Sequence, residues 1–306
     1  MRLVSFRRPG SGDAPVLGGM VGEDAVVELR PALAAAMRAA GEPDRAAAVI
    51  PDDMVALIAD EAAMVAAGRA LAFAARPESA GLRVPLATVE LLAPLRPGKI
   101  LGVGRNYAEH AKEVGGPAQA APRIFLKPTS AIAGPGCTVR IPKSVTKPDY
   151  EAELGVVIGR PARDVPEGTA LEYVAGYVVL NDVSAREFQF DVSPPQTSFA
   201  KGMDGFCPIG PWLATADEVG EPWRLAVRCW LNGELVQDGN TVDMIFPVSR
   251  LIAYLSRYVT LEPGDLIATG TPAGSGAFRT PPRWLKPGDR LRIEVERVGV
   301  LEHAIG

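Results

Sequence analysis

At 306 residues, 47% hydrophobic and 22% charged, the chain is long enough for two modest domains and can bury a sizeable core. A net charge of −4, with Lys and Arg scattered, excludes the basic blocks that recruit nucleic acid or an anionic membrane. Cys137, Cys207 and Cys229 lie far apart with no CxxC spacing, which argues against a disulfide framework or a zinc cluster.

The opening, MRLVSFRRPGSGDAP, has positive charge but no apolar run behind it, so it is not read as a secretory signal. No apolar stretch reaches the roughly 18 residues of a membrane span. A reducing, bacterial-type cytoplasm is the expected compartment. Short strands are predicted at 2–6, 16–21 and 24–28. Alanine-rich helices follow at 31–40, 44–50 and 54–75, with breaks at Gly41, Pro43, Pro51 and Gly68. Residues 1–95 hold no constellation of chemistry and read as a small packing or capping domain. The two prolines and the glycine of LAPLRPGKI mark a boundary, after which 96–306 forms the second domain.

That second part is strand-rich, with strands predicted at 100–103, 124–127, 151–158, 175–181, 212–214, 225–231, 265–268 and 291–295. Asn232-Gly233 carries the type I′ hairpin signal, and the Pro-Gly-Asp turns at 263–265 and 287–289 each precede a strand. The expected class is α+β, mainly β.

In DYEAELGVVIG, Glu151 and Glu153 fall on one strand face, while Tyr150, Ala152, Leu154, Val156 and Ile158 fall on the other. Two such carboxylates can converge on a hard divalent cation. On spacing alone they equally suit a solvated strand edge. Asp182 ends a second strand in GYVVLNDVSAR, where it could join them or cap the following turn. In GVGRNYAEHAKE, Tyr107 occupies the third glycine position of a dinucleotide fingerprint, which excludes that motif. His110 and Glu113, at i and i+3 on a short helix, make a candidate water-activating base, or a chance pair on an exposed face. The small residues at 114–123 suggest a lid.

Lys201 stands in the nearly uncharged stretch TSFAKGMDGFCPIGP, either to stabilise an enolate or as a loop lysine. LIATGTPAGSG lacks the GK[ST] ending of a phosphate loop, but its N–H groups and the Thr271 hydroxyl could hold a carboxylate. The arginines of AFRTPPRWLKPGD either reach the site or cover a sheet edge. No GxSxG elbow is present, and His303, four residues from the end, is expected to be loose.

Together GVGRNYAEHAKE, FLKP, DYEAELGVVIG, GYVVLNDVSARE, FAKGMDGFCPIGP, NGELVQDGNT and DLIATGTPAGSG resemble, in order and spacing, the fumarylacetoacetate hydrolase family over roughly residues 98–305. The resemblance implies a mixed β-roll of the fumarylacetoacetase type, a homodimer, and a divalent metal, Mg²⁺ or Mn²⁺ with Ca²⁺ as a stand-in. It implies Glu151, Glu153 and Asp182 as metal ligands, His110 and Glu113 as the water-activating pair, and Lys201 as the enolate-stabilising cation. Gln189, Thr271, Arg105 and Tyr107 are the implied substrate contacts. The separate upstream aspartate ligand of the eukaryotic members is missing, so water or substrate would complete the shell. The implied activity is hydrolysis of a C–C bond in a diketo acid or acylpyruvate. Decarboxylation, isomerisation or hydration of a 2-oxo or 2-hydroxymuconate-like diacid is the alternative.

Overall fold

Apolar alternation builds the centre of the molecule. The computed structural model describes residues 1–8, 14–115 and 119–306. In it Tyr150, Ala152, Leu154, Val156 and Ile158 enter a core between two sheets. Val157, on the opposite face, enters a second core against the amino-terminal helices. The strand Ala152–Ile158 is therefore buried along its whole length. Small residues make this double burial possible. A Cβ at Gly155 would come within 2.7 Å of Val178 Cγ2.

Among the described residues the larger sheet has 12 strands. From Arg2–Arg7 to one edge it runs through Cys207–Thr215, Val174–Asn181, Ala152–Ile158, Leu266–Ala268, Ile100–Gly104 and Arg123–Lys127. Neighbours pair antiparallel, except Leu266–Ala268 with Ile100–Gly104, which are parallel. The helices Leu29–Ala39, Met54–Ala59 and Glu61–Ala74 pack on one face. On the other lies a five-stranded sheet of Glu234–Asn240, Ala226–Leu231, Arg290–Val295, Gly299–Ile305 and Thr138–Val139. The expected hairpin at Asn232-Gly233 is present, both residues having positive φ. An α+β, mainly β architecture is what the sequence predicts.

Sheet and core both run across position 95/96. Leu3 pairs with Leu213, and Ser5 Oγ donates to the Pro94 carbonyl at 2.8 Å. Among the described residues no helix is long and apolar enough to cross a membrane.

Several local expectations need correction. The helix predicted over 54–75 is two helices, because Asp60 leaves helical geometry and its Oδ1 accepts from the N–H groups of Ala62 and Ala63. Gly68 does not break the second helix. The helix over 44–50 shrinks to the single turn Ala46–Val49. Besides several two-residue strands, the long strands Glu234–Asn240 and Gly299–Ile305 escaped the sequence reading. The second carries His303, which is 4% exposed rather than loose. Of the expected lid at 114–123, residues 116–118 lie outside the described residues.

Candidate active site

Strand register assembles the acids. Ala152 pairs with Asn181 and Glu153 with Leu180. One residue beyond the last pair, the Asp182 N–H donates to the Glu151 carbonyl at 2.9 Å. Glu151, Glu153 and Asp182 are all buried, and one carboxylate oxygen from each lies within 4.8 Å of the others. Oxygens on opposite sides of one divalent ion, each bonded at about 2.0–2.6 Å, stand about 4–5 Å apart. The three therefore fit a single divalent ion. The wet-edge reading of Glu151 and Glu153 is excluded by their burial.

The local charge balance agrees with the spacing. Lys201 Nζ pairs with Glu151 and, at 2.5 Å, with Asp182. Lys127 Nζ reaches Asp182 at 2.5 Å. Arg186 donates to Glu151 at 2.6 Å, to Asp149 at 2.9 Å and to Gln189 at 2.9 Å. Burial opposes charge on Glu151, yet Arg186, Lys201 and His110 hold its carboxyl well below the usual range. Burial also opposes the Lys201 charge, but Asp182 and Glu151 raise that ammonium's pKa. Glu153 is different. Burial, Asp182 and Glu151 push its carboxyl well above its ordinary value. That surplus negative charge is what a divalent cation would neutralise.

Backbone around the acids is held by two side-chain amides that the sequence reading missed. Asn181 Oδ1 accepts the Glu151 N–H at 3.0 Å, and Gln237 Oε1 accepts the Ala152 N–H at 2.9 Å. Gln237, within NGELVQDGNT, also donates to Thr271 Oγ1 at 2.7 Å and to the Pro272 carbonyl at 2.9 Å.

The glycine-rich turn differs from its expected role. Thr271 lines the cavity, but its hydroxyl proton goes to the Ala152 carbonyl at 2.8 Å, leaving no donor for a substrate carboxylate. Several of the turn's N–H groups serve the protein's own acids. Gly270 donates to Glu153 at 2.9 Å, Gly274 to Glu113 at 3.0 Å and Gly276 to Asp149 at 2.7 Å.

His110 sits on the helix Ala108–Val114 and faces the acids across this turn. Its Nδ1 is 3.2 Å from Glu113 Oε2, and its Nε2 is 4.0 Å from Glu151 Oε1. Phe278 packs edge-on against the imidazole, with ring centroids 5.6 Å apart. His110 is thus buried and braced by Glu113 and Phe278, while Glu113 itself stays exposed on the same helix. The cavity between His110 and the acids is about 150 Å³, and Arg105, Arg123 and Gln189 also line it. Neither Arg105 nor Arg123 makes an ion pair among the described residues.

Tyr107 does not line that cavity. It is buried, and its hydroxyl lacks a partner among the described residues. Arg279 and Arg283 also stay out of it. Arg279 bonds the Val236 carbonyl and Arg283 pairs with Glu234, so this stretch covers the sheet edge.

Fold and site together define an enzyme of the fumarylacetoacetate hydrolase family with a cluster of acids suited to a divalent metal, and the chain belongs to it: the model of the fumarylacetoacetate (FAA) hydrolase C-terminal region matches residues 99–306. An oxaloacetate tautomerase (mitochondrial) of Xenopus laevis is 44% identical over 218 residues, which is 71% of this chain and 68% of the relative. The crystal structure of a putative HpcE protein from Mycobacterium smegmatis matches with TM-score 0.78 and 39% identity, covering 100% of this chain and 99% of its own. Maleylpyruvate hydrolase from Sphingobium sp. SYK-6, in complex with manganese(II) and pyruvate, matches with TM-score 0.75 and 32% identity. It covers 100% of this chain and 98% of its own.

Proposed function

We propose that this chain hydrolyses a C–C bond in a diketo acid or acylpyruvate, with Mg²⁺ or Mn²⁺ at Glu151, Glu153 and Asp182. The observation that carries this reading is the braced His110–Glu113 pair, whose free Nε2 faces the acids across a small cavity. A base so placed suits a reaction that needs both a chelated 2-oxo acid and an activated water.

A divalent ion at the three carboxylates supplies Lewis acidity and a chelation point for the 2-oxo acid. His110 takes a proton from water at Nε2, while Glu113 orients the ring through Nδ1–H. The resulting hydroxide adds to the distal carbonyl. The C–C bond then breaks, its electron pair remains on the pyruvate-like fragment as an enolate, and a proton is taken up to complete the product. Lys201, buried between Glu151 and Asp182, provides positive charge beside that enolate. Arg105 and Arg123 offer cations to a further anionic group of the substrate. The same reading takes the chain as a cytoplasmic homodimer.

Tautomerisation or isomerisation is the second reading, favoured by the 44% identity to an oxaloacetate tautomerase. There His110 would move a carbon-bound proton and no bond between carbons would break. Acylpyruvates and oxaloacetate, each assayed with Mn²⁺, separate the two: cleavage releases pyruvate, whereas tautomerisation changes only the enol absorbance. His110→Ala is expected to lower kcat by about 100- to 10,000-fold. Unchanged turnover in that variant removes the histidine from both mechanisms.

A further inference from the structure

His303 plays no part in the chemistry above, yet it is buried one side chain away from the metal-ligand strand. Its Nε2 lies 2.8 Å from Asn181 Nδ2, and Asn181 Oδ1 accepts the Glu151 N–H at 3.0 Å. The donor roles along this chain are forced. An N–H at Glu151 requires the amide oxygen of Asn181, so the Asn181 NH₂ must face the histidine. His303 Nε2 must then accept, which leaves its proton on Nδ1, on the side of the Ala304 carbonyl at 3.4 Å. Burial keeps the ring neutral, pushing it down to about 4.

Glu151 lies just outside the strand ladder, whose last pair is Ala152 with Asn181. Its N–H therefore depends on the Asn181 side chain. Were that amide free to turn over, NH₂ would meet N–H and the backbone that aims the Glu151 carboxylate would lose its anchor. The histidine prevents the turn by offering an acceptor to one side of the amide only. On its other side His303 lines a separate cavity, together with Arg290, Arg292 and Glu302.

From this geometry we infer that His303, as its neutral Nδ1–H tautomer, is a positioning residue that locks the Asn181 amide and through it the metal-binding orientation of Glu151. The inference rests on the metal reading of the three acids. Partners that orient metal ligands typically change affinity 10- to 100-fold when lost.

Mn²⁺ titration calorimetry on wild type, His303→Leu and His303→Gln tests it. The leucine variant removes the acceptor, and its dissociation constant for Mn²⁺ is expected to rise about tenfold. The glutamine variant, whose Oε1 can accept in place of Nε2, is expected to stay within about threefold of wild type. An affinity in the leucine variant equal to wild type, with only the metal-free melting temperature lowered, overturns the inference and leaves a packing role. A glutamine variant as weak as leucine does the same. Absence of Mn²⁺ binding by the wild type would instead overturn the metal reading itself. A second measurement needs no variant. The chain has two histidines, so nitrogen-15 NMR of the unaltered protein reads the His303 tautomer directly. The Nδ1–H form supports the relay, and the Nε2–H form overturns it.

Discussion

The Glu153 carboxyl is buried beside Glu151 and Asp182, and its hydrogen bond comes from the Gly270 N–H. Its folded pKa lies above its unfolded one, so the native state binds more protons and stability falls as pH rises through that window. In the metal-free protein this carboxyl therefore destabilises the fold progressively as the pH rises. Glu153→Gln keeps an oxygen for Gly270 and removes the charge. The variant should melt about 2–4 °C higher than wild type in EDTA while losing the stabilisation that Mn²⁺ gives wild type, as read by calorimetric scans. His303 shows the opposite sign. Its folded value of about 4 lies below its ordinary 6.5, so the unfolded chain binds the extra proton between those limits. Stability is therefore full above about pH 6.5 and falls as the pH drops toward 4, by roughly 3 kcal/mol. Urea unfolding of wild type and His303→Gln at pH 7 and pH 4.5 should show a drop from this source in wild type alone.

At the level of elements, the strand Ala152–Ile158 carries the site because it is buried on both faces, and Gly155 allows its neighbours to close in. Gly155→Ala would press a methyl group against Val178 Cγ2 and Leu266 Cδ1. Such overpacking costs about 1–3 kcal/mol, and urea unfolding would measure it. This strand was legible in the sequence because apolar alternation is a local signal, as were Glu151, Glu153 and the His110–Glu113 helix. Asn181 and Gln237 were not legible, since their work depends on which residue faces which across strands. Gln237 sits on a strand the sequence reading missed. The helix break was misplaced for a related reason: Gly68 costs a helix only about 1 kcal/mol, whereas Asp60 supplies an oxygen that captures two N–H groups. That the Thr271 hydroxyl bonds the Ala152 carbonyl, and that glycine N–H groups of the turn meet the protein's own acids, was not legible either, since only tertiary contacts reveal it.

Across the whole molecule, residues 1–95 complete the sheet that bears the site. The strand Arg2–Arg7 pairs with Cys207–Thr215, and Ile209 and Leu213 share a core with Leu33, Leu57 and Ala67. A chain of 96–306 alone would bare that apolar face and leave Cys207–Thr215 without its partner along Arg2–Arg7. Expressed so, it should aggregate or unfold without a cooperative transition. A soluble fragment with a sharp melt would show that the two parts are separable. The turn at 270–277 bears on how such a catalyst can change over generations. Three carboxylates, Glu113, Glu153 and Asp149, are all dimensioned from its amides, at Gly274, Gly270 and the adjacent Gly276 and Ala277. It works as a jig does: a lengthened or shortened loop displaces all three at once, and no drift there can retune one alone. Variation that selection can use is thus left to the walls the jig does not hold, around Arg105, Arg123 and Gln189. New substrates would be won at those positions while the loop stays fixed.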